Sequence, residues 1–169
     1  MQMKFELATT KDLPRIVEIY NQAVLTRKST ADLVPLTIEQ RKTWFAGHQN
    51  NMQRPLWVIK KTDLIIGWLS LSDFYGRPAY QRTAEVSLYL DQTYQGQGIG
   101  KQALRFLADQ LSFCQVEIVL AFVFSHNQAS QRLFQEFGYK KWGHFPEIAS
   151  LDQQLRDLDI LGKNYHLSV

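Results

Sequence analysis

Hydrophobic and polar residues follow two different periods along this chain, and the N-terminal part is mainly helical in its spacing. A short alternating segment at Phe5 and Leu7 predicts a first strand. The segment 27–36 has no clear period and ends near Pro35, so it predicts a loop, and the segment 37–48 predicts a second helix. Between the strand and the loop, apolar residues recur every three or four positions, which predicts a first amphipathic helix through Leu13, Ile16, Val17, Tyr20 and Val24.

After residue 55 the pattern changes to that of strands. The segments 57–59 and 64–72 flank a short turn at 61–63, which predicts a hairpin. The segment 83–90 alternates regularly, so its side chains must point to two opposite faces of a sheet. One face carries Val86, Leu88 and Leu90, and the other carries Glu85, Ser87 and Tyr89.

The C-terminal half adds two helices and three strands. A helix follows the glycine-rich segment 95–101, and the apolar segment 116–124 predicts a central strand buried on both faces. A helix at 127–137 ends before Gly138, and 139–145 and 158–167 predict closing strands. The resulting order is β-α-α-β-β-β-α-β-α-β-β. Three consecutive strands before a strand-helix-strand unit favour an α+β fold with a mixed sheet.

Composition narrows the class of protein. A length of 169 residues fits one domain, which we expect to span 1–169. The net charge of +3 contains no block of like charges, so no nucleic-acid partner is expected. One cysteine, Cys114, excludes an internal disulfide and a multi-cysteine zinc site. The apolar runs are too short to span a bilayer and no secretory signal is visible, which predicts a cytoplasmic protein without a membrane partner.

A glycine-rich loop between a strand and a helix carries the first sign of chemistry. Backbone N–H groups and the positive end of the helix dipole meet there, and glycines let an anion such as a pyrophosphate approach. The spacing excludes a dinucleotide fingerprint and a P-loop, since the glycines stand at 96, 98 and 100 and both 95 and 102 are Gln. A plain glycine turn remains the alternative. The loop consists of Gln95, Gly96, Gln97, Gly98, Ile99, Gly100 and Lys101.

Two further motifs flank this loop, and together the three carry a family resemblance. Asn-x-Ala-Ser-x-x-Leu-x-x-x-x-Gly-Tyr runs from Asn127 to Tyr139, thirty residues after Gln-x-x-Gly-x-Gly. This combination resembles the GNAT superfamily of N-acyltransferases. The segments 19–24 and 76–90 are similar to its phosphinothricin acetyltransferase-like branch. The resemblance covers residues 4–145, most of the chain.

The resemblance implies a GNAT-like fold, a mixed sheet splayed near its middle with acetyl-coenzyme A (acetyl-CoA) lying in the gap. Strand backbone groups without ladder partners would then bind the amide arm of the cofactor. By this resemblance, backbone contacts fall on Leu88, Tyr89 and Leu90, and the pyrophosphate falls on the loop from Gln95 to Lys101. Asn127 and, more weakly, Ser130 are placed beside the pantetheine. Asn127 also fits a simple helix N-cap, and the two roles are compatible.

The chemistry expected of such an enzyme requires a base, because a primary amine is mostly protonated at neutral pH and only the free amine attacks a thioester. Glu85 is the candidate, acting directly or through a water, and the resemblance places a catalytic glutamate there. The alternatives are an exposed carboxylate or an ion pair with Arg82 or Arg77. The oxyanion would meet a backbone N–H near Leu88. No acyl-enzyme is required, so Cys114 is interpreted as structural.

One position departs from the family pattern. Phe134 stands where many relatives carry the Tyr or His that is assigned as the acid protonating the departing thiolate. Phenylalanine has no proton to donate. Tyr89, Ser125, His126 or water would have to serve, or the thiolate leaves into the positive field of a helix terminus.

The acceptor is expected to be a small, amino-acid-like amine. Arg77 is a candidate for a bidentate pair with its carboxylate, and Phe74 and Tyr80 for walls of its site. Two other functions stay open: a non-catalytic CoA-binding sensor, which Phe134 favours, and an acetyltransferase for a protein or peptide amine. The apolar segment 142–148 predicts a homodimer. No metal is expected.

Overall fold

A seven-stranded sheet organises the chain, which a computed structural model describes from residue 3 to residue 166. No helix in this part of the chain is long and apolar enough to cross a membrane. In chain order the elements are β1 (Met3–Leu7), α1 (Leu13–Thr26), α2 (Ile38–His48), β2 (Leu56–Lys61), β3 (Leu64–Asp73), β4 (Thr83–Leu90), α3 (Ile99–Gln110), β5 (Ile118–Phe124), α4 (Gln128–Glu136), β6 (Lys140–Leu151) and β7 (Gln154–Asn164).

The strands lie in the order β1-β2-β3-β4-β5-β7-β6. All neighbours are antiparallel except β4 and β5, which are parallel and joined through α3. The predicted order of elements and the mixed sheet are confirmed. The sheet is therefore two antiparallel halves, β1–β4 and β5–β7–β6, that meet at one parallel contact.

That contact is short. β4 pairs with β5 only from Thr83 to Glu85, opposite Ile118 to Leu120, while β4 stays paired with β3 as far as Leu90. β5 likewise stays paired with β7 along its full length. Beyond Glu85 and Leu120 each strand thus keeps its outer neighbour and loses its inner one. The sheet is splayed, as the resemblance implied.

Helices cover the two faces of the sheet separately. On one face, Trp68 packs in a cluster with Ile16 of α1 and Phe45 of α2. On the other, Val86 packs in a cluster with Leu104 and Leu107 of α3, together with residues of α4. The alternation predicted for β4 is confirmed, because Ala84 and Val86 belong to the second face and Tyr89 to the first.

The last two strands are longer than the sequence pattern predicts. β6 continues past residue 145 to Leu151, and β7 begins at Gln154 instead of residue 158. A tight turn at Asp152 and Gln153 joins them, with φ of 50° and 67°. Turns with such angles are usually recognised in a sequence by glycine, because other residues seldom adopt them. This turn contains no glycine, so the sequence pattern did not predict it. The predicted end of β7 at residue 167 lies outside the described residues.

Candidate active site

Backbone groups of β4 point into the opening of the sheet. The amide of Asp91 donates to the carbonyl of Ile66 at 2.9 Å, which directs the backbone of Asp91 toward β3. Successive residues of an antiparallel strand direct their N–H and C=O groups to alternate sides, so those of Leu88 and Leu90 face the open edge. The backbone groups of Tyr89 face β3. The opened edge therefore presents the N–H and C=O of Leu88 and the N–H of Leu90, while the Leu90 carbonyl accepts a hydrogen bond from the Gln95 side chain at 3.2 Å.

A cavity of about 510 Å³ occupies the opening. Residues 85–89 of β4 and 121–124 of β5 form two of its walls. The loop residues 28–31 close one side, and Asn127, with Ser130, Leu133 and Phe134 of α4, closes another. The cavity thus joins the free strand edges to the start of α4, and it brings Glu85, Leu88, Tyr89, Asn127 and Ser130 together.

Glu85 lies at the vertex of the splay, as the last β4 residue paired with β5. It lines the cavity, and no described residue donates a hydrogen bond or forms an ion pair with its carboxylate. Burial raises the pKa of Glu85 to about 7. The ion-pair alternative is wrong for Arg82, whose guanidinium lies 3.1 Å from Glu117. A carboxyl group that titrates near neutrality is suited to accept a proton at physiological pH.

The glycines of the glycine-rich loop differ in their surroundings: Gly96 and Gly98 face open space, whereas Gly100 packs against α4. Gly96 and Gly98 have φ of 72° and 77°, a conformation that disfavours other residues, and a Cβ added at either would meet nothing within 4 Å. The backbone is therefore bare and open at these two positions. A Cβ at Gly100 would instead lie 2.9 Å from the Leu133 side chain, so Gly100 serves the close packing of α3 on α4.

The flanking loop residues are held by the protein itself. The side-chain amides of Gln95 and Gln97 donate to the carbonyls of Leu90 and Thr93. Ile99 is buried, and Nζ of Lys101 lies 2.6 Å from the Glu136 carboxylate. The predicted pyrophosphate loop is thus a turn held by its own side chains, and it exposes backbone at Gly96 and Gly98.

Asp91 fixes the position of this loop. It is 5% exposed and accepts hydrogen bonds from Arg15 at 2.7 Å and Gln22 at 3.0 Å, both on α1. Its other oxygen accepts from the amide of Thr93 at 2.9 Å. Burial alone would raise the pKa of Asp91, but these hydrogen bonds outweigh it and hold the pKa well below its usual range. Asp91 therefore couples α1 to the start of the loop.

Asn127 begins α4 and borders the cavity at the same time. Its side-chain oxygen accepts from the Ser130 amide at 3.1 Å, so the predicted N-cap role is present. Its side-chain nitrogen reaches Ser29 Oγ at 3.4 Å. Asn127 thus links α4 to the loop that follows α1.

That loop closes over the cavity through long-range contacts. The Tyr89 hydroxyl donates to the Ser29 carbonyl at 3.0 Å, and the Tyr20 hydroxyl hydrogen-bonds to Thr30 and Asp32. The segment predicted as an irregular loop therefore has a defined place, and its residues 28–31 are part of the site.

Phe134 stands where many relatives carry Tyr or His, and its place in the structure shows what this substitution does to the cavity wall. Its ring is 6% exposed and lines the cavity, so no hydroxyl or imidazole enters there. The neighbouring Tyr139 packs edge-on at 5.0 Å, but its hydroxyl contacts Tyr165 at 3.1 Å. Tyr139 therefore does not replace the missing acid.

The three side chains that the sequence offers as substitute acids are Tyr89, Ser125 and His126. Each is either hydrogen-bonded to another group or lies outside the cavity lining. Burial raises the pKa of Tyr89 far above its usual range, and its proton is donated to Ser29. Nε2 of His126 donates to the Arg27 carbonyl at 2.8 Å. Neither His126 nor Ser125 lines the cavity.

None of the three predicted substrate residues lines the cavity. Phe74 stacks on Phe122, a cavity residue, with the ring centroids 6.4 Å apart. Tyr80 packs edge-on against Phe74 at 5.7 Å and is 43% exposed. Arg77 is exposed in the loop between β3 and β4. Phe74 and Tyr80 thus form an aromatic surface beside Phe122 of the cavity wall.

Sequence reasoning missed part of the cavity wall. Phe122 and its neighbours on β5 appeared as a strand buried on both faces, and the splay exposes one edge of it. Ile148, Ala149 and Leu158 reach the cavity from the β6–β7 hairpin, whose extent the pattern did not reveal. Cys114 is buried, and burial raises the pKa of its thiol, in keeping with a structural role.

The open features fit an acyl-CoA. Free amide groups at the strand edge suit a pantetheine arm, and the bare turn at Gly96 and Gly98 beside the N-terminus of α3 suits a pyrophosphate. Over residues 3–166, no three His, Cys, Asp or Glu side chains are grouped so as to hold a metal ion.

Comparison with known proteins agrees with this geometry. The family model for the GNAT acetyltransferase domain matches residues 3–140. YwnH of Bacillus subtilis, which bears a provisional assignment as a phosphinothricin acetyltransferase, is 41% identical over 162 residues, covering 95% of this chain and 98% of its own.

Two further relatives bear on the substrates. The L-amino acid N-acyltransferase MnaT of Escherichia coli is 27% identical over 159 residues, which are 94% of this chain and 92% of that protein. The structure of the Salmonella typhimurium acetyltransferase yncA, solved with its cofactor acetyl-CoA, aligns with a TM-score of 0.88 and 26% identity, covering 96% of this chain and 94% of the other.

Proposed function

The chain belongs to the GNAT acetyltransferase family, and from that premise we propose that it moves the acetyl group of acetyl-CoA to the primary amine of a small, amino-acid-like molecule. The observation that carries this proposal is the position of Glu85, half-buried and without a partner among the described residues at the vertex of the splay. A carboxylate there faces the same cavity as the free strand edge. The names of YwnH and MnaT support an amino-acid-like acceptor.

Residues on both sides of the opening would hold the co-substrate. Leu88, which lines the cavity, offers its backbone N–H and C=O to the amide arm, and Leu90, beyond the cavity lining, offers its N–H, while Tyr89 contributes its side chain to the wall. The bare turn at Gly96 and Gly98 receives the pyrophosphate. Asn127 and Ser130 border the pantetheine end. When bound, acetyl-CoA supplies a thioester carbonyl, the electrophile of the reaction.

Glu85 accepts the proton that the acceptor amine must lose. Its raised pKa keeps it a competent base near neutral pH, where an amino-acid amine is still protonated. The Leu88 N–H, which faces the opening, is positioned to stabilise developing negative charge on a carbonyl oxygen. No described side chain in the cavity is assigned as the acid for the thiolate.

The size and surroundings of the site favour a small acceptor. Residues 28–31 close the side of the cavity that a peptide would need open. Arg77 would pair with the acceptor carboxylate, and Phe74 and Tyr80 would flank the acceptor at the cavity entrance. The Arg77 side chain is exposed. For Arg77 to pair with the acceptor carboxylate, either its loop moves toward the cavity or the surface of a second copy completes the site.

The assembly proposed is a cytoplasmic homodimer. Trp142, Phe145 and Ile148 of the edge strand β6 are 51%, 40% and 57% exposed, an apolar surface that a second copy would bury. Ile148 also lines the cavity, so dimer contacts would shape the acceptor site. Sedimentation at micromolar concentration should give the mass of two chains, and a monomer would refute this part.

A thiol-release screen tests the proposed function. Wild type and Glu85→Gln are incubated with acetyl-CoA and a panel of amino acids, sulfoximines, polyamines and peptides. We expect small amino-acid-like amines to be acetylated, and kcat of Glu85→Gln to fall about 100-fold or more while acetyl-CoA affinity stays nearly constant. Ser112→Ala, which changes an exposed residue away from the cavity, is the control. Unchanged turnover in Glu85→Gln would move the base elsewhere.

A further inference from the structure

Lys28 is an unpaired cation in the wall of the cavity. Among the described residues that line the cavity, it is the only one with a Lys, Arg or His side chain. It is exposed, and its ammonium forms neither an ion pair nor a hydrogen bond with any residue from 3 to 166. Glu85 is the only described lining residue with a carboxyl group. The cavity therefore contains one ammonium and one carboxyl group, and neither has a partner in the described part of the protein.

The backbone on both sides of Lys28 is held in place. Arg27, with φ of 58°, follows the end of α1, and its guanidinium pairs at 2.7 Å with Asp152 in the turn between β6 and β7. On the other side, the carbonyl of Ser29 accepts from the Tyr89 hydroxyl at 3.0 Å. The Lys28 side chain thus leaves the backbone at a fixed position on the cavity wall.

Lys28 lies toward the wide end of the opening, away from Glu85. Tyr89, which binds the neighbouring Ser29, follows Glu85 by four positions, about 13 Å along an extended strand. Asn127, which also reaches Ser29, follows the end of β5. An ammonium within about 4–6 Å would lower the pKa of a carboxyl group, whereas burial raises the pKa of Glu85. The ammonium and the carboxyl group therefore stand apart in one cavity.

The chemistry of the two substrates favours the acceptor as the source of an anion for Lys28. Acetyl-CoA would bring an uncharged amide arm into the cavity, and its pyrophosphate is proposed to lie at the turn of Gly96 and Gly98, which do not line the cavity. An α-carboxylate is bonded to the same carbon as the amine, so it stays near Glu85 whenever the amine does. A group that pairs with Lys28 at the same time has to lie further along the acceptor.

We propose that Lys28 selects acceptors that carry a second acidic group, such as a side-chain carboxylate, at a distance from the reacting amine. The proposal rests on the proposed transfer of acetyl to an amine beside Glu85. Arg77 would keep the carboxylate next to the amine, so the two cations have separate partners. A contact between an ammonium and a carboxylate is charge-assisted and stronger than a hydrogen bond between neutral groups. The acceptor class is thus an amino acid with an acidic side chain.

Pairs of acids and amides of equal size test this. The kcat/KM for acetylation is compared between L-glutamate and L-glutamine and between L-aspartate and L-asparagine. We expect wild type to prefer the acid by about tenfold in at least one pair and Lys28→Met to lose that preference, because only the acid pairs with the ammonium. Lys28→Arg keeps the charge and should retain part of it. Lys42→Met, which changes an exposed lysine of α2 paired with Glu39, is the matched control and should keep the wild-type ratio.

The affinity for acetyl-CoA shows whether the cation serves the co-substrate instead. Titration calorimetry should give the same dissociation constant for wild type and Lys28→Met. Weaker binding of acetyl-CoA to Lys28→Met, with an unchanged ratio of acid to amide, would assign the ammonium to a phosphate of the co-substrate and overturn the proposal.

The outcomes separate this inference from the proposed function. If wild type acetylates amines in a Glu85-dependent reaction but uses each amide as well as its acid, the role of Lys28 is wrong and the proposed function stands. If no amine in the screen releases thiol from acetyl-CoA, both are wrong.

Discussion

At the scale of single residues, the site depends on groups left unsatisfied by the fold. The half-buried carboxyl group of Glu85 has neither a cation nor a hydrogen-bond donor among the described residues, and this arrangement costs stability when the group is ionised. Asp91 is the opposite case, a buried carboxylate saturated by donors. The contrast supports the catalytic role proposed for Glu85 and indicates a structural role for Asp91.

The raised pKa of Glu85 makes a prediction about stability. The pKa of Glu85 in the folded state, about 7, lies above its value in the unfolded state. Its contribution to the free energy of unfolding is therefore fully present below about pH 4.5 and is lost as the pH rises through 7. Glu85→Gln should therefore unfold like wild type at about pH 4 and be more stable by about 2 kcal/mol at about pH 8.5. Urea unfolding at the two pH values measures the difference. Equal stability at both would mean that Glu85 is solvated.

The lowered pKa of Asp91 predicts the opposite dependence. Its stabilisation is present above the unfolded pKa and is lost as the pH falls through the folded value, so Asp91→Asn should cost about 2–3 kcal/mol at pH near 7 and less at pH near 3. The control is Glu18→Gln, since Glu18 pairs with the same Arg15 but its side chain is 62% exposed. That pair should contribute less than about 0.5 kcal/mol. Equal losses in both variants would contradict the anchoring role of Asp91.

At the scale of elements, local patterns specify those parts of the fold whose signals lie within a few residues. α1 follows from its apolar spacing, and α4 follows from the Asn127 cap and Gly138, whose φ is 82°. The turn at Asp152 and Gln153 carried no such signal.

The loop over the cavity could not be placed from the sequence either, because its contacts are distant. Arg27 pairs with Asp152, 125 positions away, and Ser29 accepts from Tyr89, 60 positions away. Spacing arguments do not reach such pairs. Glu85 and the loop at 95–101 could be predicted from parity and motif, whereas the walls from β5 and the β6–β7 hairpin required the sheet register.

The glycine-rich loop gives an element-scale prediction. Gly98→Ala places a Cβ in open space but forces a left-handed φ, so we expect a stability loss of about 1 kcal/mol and an acetyl-CoA affinity about tenfold weaker. Gly47→Ala is the matched control, a helical glycine in α2 that also has nothing within 4 Å of its Cβ. It should gain about 0.5–1 kcal/mol and leave affinity unchanged. Calorimetry and thermal unfolding give both numbers. Unaltered affinity in Gly98→Ala would remove the loop from the binding site.

At the scale of the whole molecule, the site is the seam between two half-sheets. Within each half the strands form backbone hydrogen bonds with each other, β4 with β3 and β5 with β7. Between the halves, β4 and β5 pair at only three positions before the strands diverge. The cavity forms where the strands diverge, with Glu85 at the vertex and α4 on one side. The proposed binding surface and the proposed base thus arise from one topological feature.

The affinity of Leu88→Pro for acetyl-CoA, measured by titration calorimetry against Leu88→Ala, tests this feature most directly. Both variants lose the leucine side chain, but proline also removes the N–H that faces the opening, without removing a hydrogen bond to β3. We expect Leu88→Pro to bind about tenfold or more weakly than Leu88→Ala while both keep wild-type circular dichroism. Equal affinities of the two folded variants would show that the open edge of β4 does not bind the cofactor.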